Sequence, residues 1–394
     1  MNNIMYKAMR HYITTIMTLL LLVACQGKEE GRPDAIQLGM TLHVPLAKVG
    51  SVCELEELFS EWRFVPLETN DSALVPDLNS VKNIQLTEEA LYVGDHYQVM
   101  QFDRKGYFIR FLPHAGKGPQ DYDAINGMIV GSDGSYMILN GGHINRYYVL
   151  AYSEEGDLLW KDPFGLMPFG LMDFCQLDAR HLAIRTSWGY TSPADAPSLI
   201  YIVDMQTKEV ERSFFPNTPT KVGMWLRAHF SRYGGQVLLS NYLTTDIYAF
   251  TADSSSVRYH VDVDGRNSPE GFWTSYKHGL DLIRAYSDQG YIDHIPFFME
   301  SDHRILLYYM GGREELQGYA WIDKQSGEVH SFKQFAFDPS FCWQPAELYP
   351  QADGTVVIPI PAHLLFEQEA TELISRFPDL NEESNPVLFI GKLK

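Results

Sequence analysis

Leu86-Thr87-Glu88-Glu89-Ala90-Leu91-Tyr92-Val93 and, a few residues on, Gln101-Phe102-Asp103-Arg104-Lys105-Gly106-Tyr107-Phe108 decide the fold. Each places a short polar turn between two apolar runs, the pattern of a tight hairpin. The first turn recurs at Ser132-Asp133-Gly134-Ser135, Asp178-Ala179-Arg180, Tyr233-Gly234-Gly235, Ser301-Asp302-His303 and Ala352-Asp353-Gly354. The second recurs at Ser153-Glu154-Glu155-Gly156, Met205-Gln206-Thr207-Lys208, Ala252-Asp253-Ser254 and Asp323-Lys324-Gln325-Ser326-Gly327. A spacing of roughly 50 residues with two hairpins per repeat means four strands per repeat, which is the build of a propeller blade.

Third strands serve as landmarks for a count. They are Val99 to Phe102, Tyr147 to Tyr152, Leu199 to Val203, Ile247 to Phe250, Tyr319 to Ile322 and Val387 to Ile390. The expectation is therefore an all-β, six-bladed β-propeller of four-stranded antiparallel blades. The last repeat has no room for a fourth strand before Lys394. The alternating run Trp62-Arg63-Phe64-Val65-Pro66-Leu67 is expected to fill that place and close the ring, because Pro66 lacks a ladder donor and belongs at an edge. Two insertions read as helices. One starts at Ser268-Pro269-Glu270 and carries Phe272, Tyr276, Leu280, Ile283 and Tyr286; the other runs from Leu364 to Phe377 with Leu365, Ala370 and Leu373.

The amino terminus reads as an export signal. Lys7 and Arg10 precede an apolar run from Tyr12 to Ala24, which is too short for a comfortable membrane span. The run ends in Leu22-Val23-Ala24-Cys25, which resembles a bacterial lipobox and makes Cys25 the residue that receives lipid. The domain plan is a lipoprotein signal peptide over 1–24, an anchor and tether over 25–34, and the propeller over 35–394. The acidic tether after Cys25 resembles the surface-export signal of Bacteroidetes lipoproteins, so an outer-membrane lipoprotein exposed at the cell surface is expected. The net charge of -19 falls to -21 once residues 1–24 leave with Lys7 and Arg10. Nucleic acid is excluded as a partner on that balance. Cys53, Cys175 and Cys342 show no metal-ligand spacing and read as small apolar residues.

Gly116-Lys117-Gly118-Pro119-Gln120-Asp121-Tyr122, standing next to Phe102-Asp103-Arg104-Lys105-Gly106-Tyr107-Phe108, resembles the six-bladed propeller lipoproteins of gut Bacteroidetes, with distant kinship to NHL-type propellers. This chain has Gln120 and Asp121 where that family has Gly and Glu. The resemblance implies fold and location and little chemistry.

Short turns on one face leave the long connections on the other, and long loops are where propellers carry function. The long loops hold His143, Asn145, Arg146, Trp188, Tyr190, Trp225, Arg227, Tyr242, Trp273, Tyr276 and Trp343. Such rings stack on sugar or peptide surfaces while Arg, Asn and His give directional contacts. A ligand-binding propeller taking a glycan or peptide in nutrient capture is the expected function, with no cofactor and no catalysis required. The chain holds no Gly-x-Ser-x-Gly elbow, His-Glu-x-x-His helix or Gly-x-Gly-x-x-Gly fingerprint. Two alternatives stand beside it. One is a channel-metal hydrolase or lyase using calcium, with Asn83, Asn126, Asp173 and Asp293 as weak ligand candidates. The other is a scaffold subunit with an outer-membrane protein partner.

Overall fold

The computed structural model describes residues 39–71, 73–75, 81, 83–141, 147–164, 171–186, 198–216, 230–240, 243–276 and 278–394. The signal segment and Cys25 lie outside them. No helix among the described residues is long and apolar enough to cross a membrane.

The two turns of each repeat form as expected, and aspartate side chains hold several of them. Asp103 Oδ1 accepts the N–H groups of Lys105 and Tyr107, Asp204 Oδ1 those of Gln206 and Thr207, and Asp323 Oδ1 those of Gln325 and Ser326. This is the local self-bonding that makes Asp a turn residue. Blade 1 consists of Asn83–Leu86, Ala90–Gly94, Val99–Asp103 and Phe108–Phe111 in antiparallel order. Blade 2 is Ile125–Val130, Tyr136–Asn140, Tyr148–Tyr152 and Leu158–Asp162; blade 3 is Leu171–Gln176, His181–Thr186, Ser198–Asp204 and Val210–Pro216. Blade 4 is Ser231–Tyr233, Gln236–Ser240, Asp246–Phe250 and Ser255–Val263, and blade 5 is Ile292–Glu300, Arg304–Gly311, Gln317–Asp323 and Val329–Phe332.

The count of six is corrected to seven. Between blade 5 and the final blade stands an additional three-stranded sheet of Val52–Glu54, Gln334–Asp338 and Phe341–Trp343. Its hairpin ends in Trp343, which the sequence placed on a long loop. Its third strand comes from some 280 residues earlier and pairs in parallel, Cys53 against Phe335. A three-stranded blade built from two distant segments leaves no two-hairpin repeat in the chain, which is why spacing alone overlooked it.

The last blade is Tyr349–Pro350, Thr355–Ile360, Val387–Leu393 and Phe59–Pro66. The closing strand sits where its sequence placed it. Its register runs from Val387 opposite Pro66 to Leu393 opposite Phe59. Upstream, Met40–Val44 adds a fifth strand to blade 4, parallel to Ser255–Val263, and the Ala47 N–H donates to Tyr309 Oη of blade 5. Residues 40–66 thus run along the outer strands of blades 4 to 7.

The helical insertions differ from expectation in extent. The first gives a 3-10 turn, Phe272–Thr274, and a helix, Gly279–Gln289, ended by Gly290 in the left-handed region. Leu282 and Tyr286 face inward while Leu280 and Ile283 are exposed. The second is two short helices, Ala362–Glu367 and Thr371–Arg376, interrupted where Glu369 takes φ 54°. Leu365, Ala370 and Leu373 bury in the apolar cluster shared by blade 5 and the last two blades.

One glycine explains the first-blade motif. Gly106 has φ +93°, and a Cβ there would lie 2.1 Å from the Pro66 carbonyl oxygen. The turn therefore lies flat on the closing strand, where the Glu68 N–H donates to the Gly106 carbonyl. Gly156, one repeat later, is equally tight against Pro113. Gly327 also has positive φ but open space around it. Gly106→Ala should cost at least about 2 kcal/mol, against about 1 kcal/mol for Gly327→Ala. Paired thermal melts check this, and equal losses would refute the clash.

Candidate functional site

Blades 1, 3 and 5 show their two short turns touching on one face. Arg104 Nη1 donates to the Thr87 carbonyl, the Met205 N–H to Arg180 and the Lys324 N–H to His303. The connections between second and third strands and between blades leave from the opposite face.

First strands of blades 1, 2, 3, 4 and 7 line an axial cavity of about 500 Å³. Asn83, Gln85, Asp173, Gln176, Arg232 and Gln351 give it a polar wall, with Met128, Phe174, Phe230 and Tyr349 between them. These inner strands have free edges, and side-chain amides close them. Gln85 donates through Nε2 to the Val130 carbonyl at 2.7 Å and accepts the Val130 N–H at 2.8 Å, imitating a strand partner between blades 1 and 2. Gln351 does the same to blade 1 from blade 7, at the Leu86 N–H and the Ile84 carbonyl. Such amides satisfy edge groups that neighbouring sheets leave unpaired.

Two of the proposed metal ligands share this work. Asn83 Nδ2 donates to the Met128 carbonyl and Asn126 Nδ2 to the Leu171 carbonyl. Asp173 Oδ1 accepts the Phe174 N–H. Asp293 is 4% exposed and takes the Ser268 N–H on Oδ1 and the Trp273 Nε1–H on Oδ2. Among the described residues, His181, Asp204 and Glu211 are the one group whose donor atoms lie close enough to share a metal ion. Sequence reading missed it, since the three come from three strands of blade 3. Arg180 occupies it, pairing with Asp204 and, at 3.0 Å, with Glu211.

Of the ring set, Trp273 is buried among Phe272, Leu282 and Tyr286 under the first helical insertion, and Tyr276 lies half-buried against Phe272. Trp343 is half-buried on the additional sheet beside Phe337. Trp273 and Tyr276 thus share one cluster on the insertion, and Trp343 stands apart on the additional sheet. His143, Asn145, Arg146, Trp188, Tyr190, Trp225, Arg227 and Tyr242 lie outside the described residues.

The Gly116 to Tyr122 loop closes on itself. Asp121 Oδ2 accepts the Gly118 N–H, and a Cβ on Gly116 or Gly118 would lie 2.6 or 2.7 Å from that oxygen. Tyr122 is fully buried, and Tyr152 reaches up to the Gln120 carbonyl. Its glycines make room for its own aspartate.

Two further clefts, each of about 570 Å³, open on the short-turn face. One lies at the seam between Arg63 and Arg104, the other beside Tyr233 and Glu300. Glu300 is buried and bound by Arg258 at 2.7 Å and Lys324 at 2.8 Å, a network joining blades 4 and 5.

Fold and channel together define a β-propeller of seven blades with a polar axis. A family model described as a domain of unknown function, DUF4934, matches residues 44–392, and the chain belongs to that family. Among solved structures it is similar to a Bacteroides fragilis protein described provisionally as exported, with TM-score 0.71 and 16% identity over 90% of this chain and 100% of that one. It is also similar to a member of the DUF4221 family from Bacteroides vulgatus, with TM-score 0.50 and 13% identity over 86% and 97% of the two chains. At such identities the likeness speaks of the fold. No curated protein matches the chain.

Burial raises the Asp293 carboxyl above its ordinary value, against the pull of the Ser268 and Trp273 donors. The folded chain then holds a proton that the unfolded chain has released, so this group's contribution falls as pH rises from about 4. Asp293→Asn should flatten that decline relative to wild type in urea melts between about pH 4 and 7. Parallel pH profiles would refute the assignment.

Proposed function

We propose that this chain is an exported, lipid-anchored propeller that binds a glycan or peptide at the long-loop mouth of its channel. The observation that supports the reading is the axial cavity of about 500 Å³ with its alternating amide, charged and aromatic wall, which follows the first strands and reaches Ser132 and Ala352 in the short turns; placement at the long-loop mouth rests on loop length. That volume falls within the range of small-ligand sites, and its mixture of apolar surface and fixed polar groups suits an amphiphilic ligand. The inter-blade amides hold the wall at fixed spacing, so binding requires little reorganisation. Export is supported by the Lys7 to Cys25 segment and by the similar Bacteroides fragilis protein described as exported. Lipid at Cys25 would fix the propeller to a membrane surface, with the acidic tether as spacer.

Glycan and peptide arrays probed with the full chain in nonionic detergent test the reading. A ligand should bind, and Trp188→Ala and Trp225→Ala should each weaken it at least about tenfold, the loss of one aromatic stacking contact. Binding unaffected by both substitutions would move the site away from the long loops. No binder in either array would count against the ligand-capture reading.

A further inference from the structure

The closing strand Phe59–Pro66 meets blade 1 at a seam filled by Val65, Leu91, Phe102, Val357 and Ile390. Towards the short turns that apolar filling ends, and a cleft of about 570 Å³ takes its place. Alternation along the strand turns Glu61, Arg63 and Val65 to one side, with Arg63 opposite Ile390 in the ladder. Blade 1 adds Arg104 from its second turn. Arg63 Nη1 donates to the Arg104 carbonyl at 2.9 Å, and Arg104 Nη1 to the Thr87 carbonyl at 3.0 Å. Each guanidinium thus spends one of its five donors on the protein. Neither pairs with a carboxylate among the described residues, whereas in blades 3 and 5 Asp204 neutralises Arg180 and Asp323 neutralises Arg304 at the short turns. In blade 1 the corresponding Asp103 binds the N–H groups of its own turn. Asp353, across the cleft, is held by the Thr355 N–H and hydroxyl and by Lys392 at 3.8 Å. Glu61 and Glu88 also line the cleft, are exposed, and pair with neither arginine.

Two like charges therefore face one cleft in a chain with 50 acidic and 31 basic side chains. Partial desolvation and the Arg104 charge together lower the Arg63 guanidinium from its ordinary value. Arg63 is exposed and Arg104 half-buried, so a ligand can reach both. We propose that the seam cleft binds an oxyanion, the carboxylate or phosphate group of a small organic ligand, between Arg63 and Arg104 on the short-turn face. Guanidinium forks match paired oxygens, and an anion between the two removes their repulsion. The cleft shares Leu86, Val130, Ser132, Gln351 and Ala352 with the axial cavity, which gives the body of the ligand room beyond its anionic end. The site exists only where the closing strand and blade 1 meet, so a bound anion ties them together and stabilises the closed ring. It uses none of the long-loop residues and does not depend on the binding site proposed there.

Thermal unfolding of the full chain in nonionic detergent tests this, with sodium glucuronate or inorganic phosphate at about 20 mM against chloride of equal ionic strength. Wild type should melt about 2–3 °C higher in at least one of the two anions. A larger shift with glucuronate assigns a carboxylate, and a larger one with phosphate a phosphoryl group. Arg63→Gln and Arg104→Gln should each lose most of the shift. Arg212→Gln, which removes an exposed arginine from the outer strand of blade 3, should keep it. Arg104→Gln also gives up the bond to Thr87, so Arg63→Gln decides if that variant does not fold. No shift in wild type overturns the proposal. So does an equal shift in wild type and Arg63→Gln, which would mean general screening of charge by the added salt. Trp188→Ala and Trp225→Ala should leave the shift unchanged; its loss in either would move the anion to the long loops and overturn the seam site.

Discussion

Closure of the ring is the interaction on which the rest depends. Phe59–Pro66 lies against Val387–Leu393, so the last blade exists only when both ends of the chain meet. Blades 1 to 5 are each formed largely from one stretch of chain, but the channel needs them held in a circle. Closing a loop of more than 300 residues has an entropic cost that grows only slowly with length, and a ladder of paired residues with Phe59, Val65, Phe389 and Leu388 buried beside it offsets that cost. The Gly106 turn then lies on Pro66 and fastens blade 1 to the seam.

A second set of contacts gives the axis its form. The inner strands of neighbouring blades belong to separate sheets, and Gln85, Gln351, Asn83 and Asn126 reach across to supply partners. Each is an amide, the one side chain that both donates and accepts as a peptide does. These residues therefore serve the fold and the channel wall together. On the rim, the run from Met40 to Pro66 gives blades 4, 6 and 7 an added outer strand and touches blade 5 at Tyr309.

Legibility followed locality. Turns such as Asp103 to Gly106 were readable because their residues act within four positions of one another, and the closing strand because Pro66 and the short last repeat both pointed to it. The additional sheet was hidden, since Val52–Glu54 has no pattern of its own and acquires meaning only against Gln334–Asp338. The helical insertions were half readable: apolar spacing located them, but Leu280 and Ile283 face outward because the fold, not the helix, decides which side is covered. Trp273 looked like a ligand platform and proved to have an internal partner in Asp293, a pairing across 20 residues that spacing does not announce.

The sequence by itself determined the repeat, the hairpins within it, the division into a short-turn and a long-loop face, and the strand that closes the ring. Those properties rest on backbone turns and on alternation, which neighbouring residues settle among themselves. Only the tertiary structure decided the number of blades and the polar wall of the channel. Each depends on what a distant segment brings alongside, and burial and pairing are properties of that company.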